Sequence, residues 1–263
     1  MSYLKTGLVS LAMASMVLSA TPLVAFAQDA TATTTTPALA ALCNVRSMDY
    51  QVRLLKIRAE ADARLTQTRV DADARITRIQ TDRDSLLVAR RAEWDATRER
   101  QRVERDIKGY KAEALKQAVS TYRATIDAAI KARHTTIDAT HKTFRDAQNV
   151  AITTRRTSID AAVKARRDAI DAAYNTWKTR CTGTKAERQA ANKAFQDATK
   201  SARTTSQATI SAAQKTFTDT MKPLRATRDA AQKTAITTYQ QAVKTAQEVM
   251  KAAVKAAKDA AKK

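Results

Sequence analysis

The sequence predicts an all-α protein: an elongated coiled coil, arranged as an antiparallel three-helix bundle built on eleven-residue repeats. Three observations carry this expectation. Glycine and proline number only three each in 263 residues, while Ala, Thr, Lys, Arg, Asp and Gln fill most positions. Such a composition starves turns and strands and favours long helices. Second, Ala61-Asp62-Ala63-Arg64-Leu65-Thr66 returns eleven residues later as Ala72-Asp73-Ala74-Arg75-Ile76-Thr77. Third, Leu115, Ile126, Ile137, Gln148, Ile159 and Ile170 recur at steps of eleven, with Val119, Ile130, His141, Ile152 and Val163 four residues on. Seven residues on come Tyr122, Arg133, Phe144, Arg155, Arg166 and Trp177, so one helical face carries a mostly apolar stripe. Eleven residues in three turns is about 3.67 per turn, so the stripe hardly drifts around a straight helix and tends to a weak right-handed supercoil.

The elements follow in chain order. Residues 1–27 read as a secretory signal: Lys5 gives a charged start, Leu8 to Ala20 an apolar run, and Ala25-Phe26-Ala27 a cleavage site. The mature chain then begins at Gln28 and is exported, to a periplasmic, cell-surface or extracellular location. The alternative is an uncleaved N-terminal anchor, since Leu8 to Ala27 is about long enough to span a bilayer. Residues 28–45, with a Thr run and Pro37, lack apolar periodicity and read as a flexible tether.

The first long helix covers 46–108, where Leu54, Leu65, Ile76 and Leu87 stand eleven apart and Ala61, Ala72, Arg83 and Trp94 run in register. Gly109 breaks it, and the second helix runs over 109–180. Residues 181–184 form a turn in which Gly183 suits a left-handed helix C-terminus and Thr184 forms a capping box with Glu187. The third helix covers 184–263, kinked or restarted at Pro223. In it Ile236, Val243 and Met250 stand seven apart, a heptad spacing.

Cys43 and Cys181 flank the first two helices, and their midpoint lies close to Gly109. A hairpin at Gly109 would bring them together, and in an oxidising compartment they form a candidate disulfide. The alternative is a single helix of about 200 Å in a parallel oligomer, with each cysteine linked to its own copy in a neighbouring chain.

The net charge of +21 is uneven: residues 28–110 carry 16 basic and 13 acidic groups, 111–180 carry 14 and 7, and 181–263 carry 16 and 6. This gradient marks Lys244, Lys251, Lys255, Lys258, Lys262 and Lys263 as candidates for contact with a polyanion, an anionic membrane or an acidic envelope polymer. The bland alternative is solubility. Asp127, Asp138, Asp160 and Asp171 recur at the helical period, and the first three precede Lys131, Lys142 and Lys164 by four residues, an order that supports a solvated helix. Neighbours eleven residues apart are separated by roughly 16 Å, too far for a catalytic carboxylate pair.

No catalytic, cofactor or metal motif is present in the sequence, and the reading is non-enzymatic. A phosphate-cradling loop needs clustered glycines. His134 and His141 lie about 10 Å apart along one helix and cannot chelate one ion. Tyr122, Phe144, Tyr174, Trp177 and Trp94 fall on the stripes and read as core, which argues against base stacking and sequence-specific nucleic-acid recognition.

The eleven-residue Ala/Lys/Asp/Thr pattern resembles that of desiccation-related and lipid-binding helical repeat proteins, and an exported basic coiled coil resembles periplasmic holdase chaperones. The expected function is a structural protein, tether or scaffold of the cell envelope whose basic C-terminal half meets an anionic surface. Two other expectations stand beside it: a holdase-type chaperone and a sequence-independent binder of extracellular nucleic acid. Self-association or a protein partner through the coiled coil is open to all three.

Overall fold

The computed structural model describes residues 36–107, 109 and 113–260. Three long helices fill it, α1 (Thr36–Ile107), α2 (Glu113–Arg180) and α3 (Lys185–Ala260), with no strand among the described residues. The expected signal and residues 28–35 of the expected tether lie outside the described residues. The rest of that segment, residues 36–45, is helical rather than flexible: α1 starts ten residues earlier than the apolar period indicates. Pro37 is tolerated in a first helical turn because its missing N–H has no partner there in any case, and Ala38, Ala40 and Ala41 are strong helix formers.

The chain reverses after α1. Gly109 has φ of 69°, a left-handed conformation that glycine adopts without steric cost, and donates its N–H to the Asp106 carbonyl at 3.0 Å. A ladder of Arg–Asp pairs then joins α1 to α2. Arg58, Arg69, Arg91 and Arg102 of α1 meet Asp171, Asp160, Asp138 and Asp127 of α2 at 2.5–2.7 Å. In the opposite sense, Asp62, Asp73, Asp84 and Asp106 of α1 accept from Arg167, Arg156, Arg145 and Arg123 of α2. Partner numbers fall along one helix as they rise along the other, so the two helices run in opposite directions. Most of the rungs are two-pronged, one guanidinium nitrogen to each carboxylate oxygen. The same register sets His134 opposite Asp95 and Asn149 opposite Gln80, two places where the ladder has no Arg–Asp rung.

The second seam is built differently. α2 and α3 pack with Cα atoms within 8 Å of each other, whereas α1 hardly approaches either that closely. Small residues permit this: Ala151 and Ala162 of α2 and Ala191, Ala235 and Ala246 of α3 are buried. Between them, cations on one helix stack over rings on the other. Arg133 lies 4.4 Å from the centroid of Tyr239, Arg155 4.4 Å from that of Phe217, and Arg228 4.6 Å from that of Phe144. In this seam, too, the partner numbers run in opposite directions.

α3 departs from the sequence expectation in its repeat. Its inward positions 195, 199, 202, 206, 210, 213, 217, 221 and 224 keep the four-three-four spacing of an eleven-residue repeat, and 228, 232, 235, 239, 243, 246 and 250 continue it. The heptad reading fails because Ile236 points outward, 44% exposed, while its neighbour Ala235 faces the seam at 6%. Of the kink or restart read at Pro223, the restart is excluded, because the helix is continuous from Lys185 to Ala260. Met221, only 2% exposed, anchors the turn that precedes it.

The ladder predicts a measurable coupling. Arg69→Asp or Asp160→Arg alone should lower the melting temperature by placing like charges across the seam, and the double exchange should restore most of the loss. A double-mutant cycle by thermal denaturation should return about 0.5–1 kcal/mol for this half-exposed pair, and no coupling would remove the ladder's role in register.

Candidate functional site

The two ends of the bundle differ in chemistry. At one end all three helices converge on aromatic rings. Tyr174 stacks between Tyr50 (4.9 Å between centroids) and Trp177 (5.8 Å), and Phe195 meets Tyr50 edge-on at 5.8 Å. Tyr174 donates its hydroxyl to the Ser47 carbonyl at 2.8 Å, so its buried polar tip is satisfied. Cys181 belongs to this cluster, and Cys43 packs against it. The Cys43 thiol donates to the Cys181 carbonyl oxygen at 2.9 Å, and both cysteines are free thiols. Burial, together with the neighbouring Cys43, pushes the Cys181 thiol up to about 12, so it holds its proton at neutral pH.

The turn beside them is built by Gly183, Thr184 and Glu187. Thr184 donates its N–H to the Glu187 carboxylate at 2.7 Å, and Glu187 donates its N–H to the Thr184 hydroxyl at 3.3 Å, a capping box. Gly183 is not the left-handed residue that the sequence pointed to; among the described glycines only Gly109 has a positive φ. What Gly183 provides is room. A Cβ there would come within 2.5 Å of a Glu187 carboxylate oxygen and break the box.

Lysines occupy the other end. Lys244, Lys251, Lys255 and Lys258 are exposed, share one face of α3, and form no ion pair with another described residue; Lys262 and Lys263 lie outside the described residues. Composition alone missed their continuation: stepping back by eleven from Lys255 and Lys244 reaches Lys233, Lys222 and, past Ser211, Lys200, all exposed. The column was legible as a period rather than as a gradient. α2, 68 residues long, separates the two ends by about 100 Å.

Between the ends, His141 is half-buried and accepts a hydrogen bond from the Gln232 amide nitrogen at 3.1 Å through Nε2. Burial lowers its pKa, and Arg83 of α1, Arg145 of α2 and Arg228 of α3 push in the same direction against Asp138. A shallow apolar groove of about 560 Å³ runs between α2 and α3, lined by residues that include Val150, Thr154, Thr216, Phe217 and Leu224. Among the described residues there is no group of three or more His, Cys, Asp or Glu side chains placed to hold a metal ion, and no helix is long and apolar enough to cross a membrane. Trp94, expected in the core, is 59% exposed, because α1 stands off from its neighbours. No protein-family model, curated protein or solved structure matches the chain.

Mild oxidation should join Cys43 to Cys181 within one chain, visible by mass spectrometry of the linked peptides, and raise stability by about 2–4 kcal/mol; links only between chains would contradict the geometry. Because His141 is held neutral, its stabilisation is complete above the free-histidine range near 6.5 and is lost as pH falls through its lowered folded value. The melting temperature should therefore fall between pH 7.5 and 5, and His141→Gln should flatten that slope.

Proposed function

We propose that this chain is an exported, non-enzymatic coiled-coil tether or scaffold of the cell envelope, which meets an anionic surface with its basic third helix. The observation that carries the reading is the column of unpaired lysines on α3, from Lys200 to Lys255, joined near its end by Lys251 and Lys258. Cations spaced about 16 Å apart along a rigid rod suit an extended array of negative charge better than a compact ligand. The lysines are densest at the end of the bundle remote from Cys43 and from the start of α1, a polarity suited to a spacer held at one end and docked at the other. The export half of the proposal rests on the signal read at residues 1–27.

Residues 28–263 should co-sediment with vesicles containing roughly a third phosphatidylglycerol at 20 mM salt and release at 500 mM, while neutral vesicles leave the protein in solution. Replacing Lys244, Lys251, Lys255 and Lys258 by Gln should abolish most of the binding without changing helicity. No binding to anionic vesicles or acidic polymers at low salt would sink the proposal.

A holdase chaperone is the second reading, favoured by the apolar groove between α2 and α3. It requires suppression of client aggregation at near-stoichiometric ratio, which a plain spacer does not give.

A further inference from the structure

One face of α1 is turned away from the bundle. Starting at Met48 and stepping by four, three and four residues traces sixteen positions to Val103, all of them exposed. Nearly half of the residues between Arg46 and Asp106 are charged, yet this stripe holds one charge, Glu99. Its large members are Met48, Val52, Leu55, Val70, Val88 and Val103, between 50% and 66% exposed, and apart from Glu99 the positions between them are Ala, Thr or Ser. A solvated helix has no need to keep charge off one line for fifteen turns. The stripe follows the same eleven-residue repeat as the inner face of α1, so it stays straight over its whole length.

We infer that this stripe is a self-association surface on which α1 of a second copy packs in parallel. Length supports a stable contact: 56 residues at about 1.5 Å each give a strip of about 84 Å, which at a helix-contact width of about 10 Å approaches the ~800 Å² per partner of a standard interface. Charge sets the direction. One flank of the stripe is the acidic column that steps by eleven from Asp62 to Asp106; the other carries Lys56, Arg78 and Arg100 with Gln67 and Ala89 between them, and an acidic column from Asp49 to Glu104 lies beyond it. In a parallel pair each acidic flank faces the partner's basic flank; in an antiparallel pair acid would face acid along the whole seam. The acidic column already accepts from α2, yet the Asp62, Asp73, Asp84 and Asp106 side chains remain 50–53% exposed, which leaves oxygen lone pairs for a second cation. The resulting dimer puts both lysine-rich ends at the same end of the particle.

Sedimentation equilibrium of residues 28–263 from 1 to 100 μM tests the pairing. A dimer is expected, and Val70→Glu with Val88→Glu should raise its dissociation constant on the order of a hundredfold, with helicity by circular dichroism unchanged because both sites are exposed in the monomer. Leu86→Glu, on an exposed position outside the stripe, should leave the dimer intact. In a Cys43→Ser, Cys181→Ser background, Val52→Cys should oxidise to a covalent dimer, since a parallel pair brings like-numbered residues together and an antiparallel pair separates them by the length of the strip. A monomer at 100 μM overturns the inference. So does a dimer indifferent to the paired Glu substitutions, or a Val52→Cys protein that dimerises without cross-linking.

Discussion

The guanidinium–carboxylate rungs between α1 and α2 fix the spacing on which the rest of the molecule depends. An Arg and an Asp meeting tip to tip bridge helices whose backbones stay apart, and so α1 rides outside a tight α2/α3 pair. Individually the rungs are weak, half-exposed ion pairs. Collectively they carry sign information, because Arg and Asp alternate between the two helices. A slip of one repeat in either direction would set Asn149 against Arg91 or Arg69, and Gln80 against Asp160 or Asp138, so the two missing rungs penalise the displaced registers.

The interior is cationic as well as apolar. Arg133, Arg155 and Arg228 would each be costly to desolvate alone, and their flat guanidinium groups recover part of that cost against Tyr239, Phe217 and Phe144, by about 0.5–2 kcal/mol each. Aromatic residues, only 5% of the chain, are used where a planar cation needs a surface or where three helices must be closed at one end. Elsewhere alanine lets two backbones touch.

The three-helix architecture was legible because the eleven-residue period and the scarcity of glycine act on every turn of the chain. The recurring Asp127, Asp138, Asp160 and Asp171 are legible as a period, and the spacing offers the first three a local lysine; their main partners lie 25 to 113 residues away, which no single-helix rule reaches. Gly109 and Gly183 show the limit at turns. Both stand at helix ends, but of the two only Gly109 takes a left-handed φ, while Gly183 leaves room for the capping box of Thr184 and Glu187. The start of α1 was hidden because Thr and Pro37 weaken the apolar signal without forbidding a helix. Ile236, Val243 and Met250 show that three residues at sevenfold spacing do not establish a heptad when the surrounding small residues follow another period.

The shared repeat also governs how such a protein can change length. An insertion or deletion in one helix rotates everything beyond it off its face unless it is a multiple of eleven residues, and even eleven residues in α1 alone would carry Arg58 one rung past Asp171. Matched changes in α1, α2 and α3 are needed to keep the ladder and the alanine seam together. Such a set of changes lengthens the rod by about 16 Å and adds two more rungs and another layer of core. The bundle is in this sense a molecular ruler with a coarse, fixed graduation, in which size is inherited in steps rather than residue by residue.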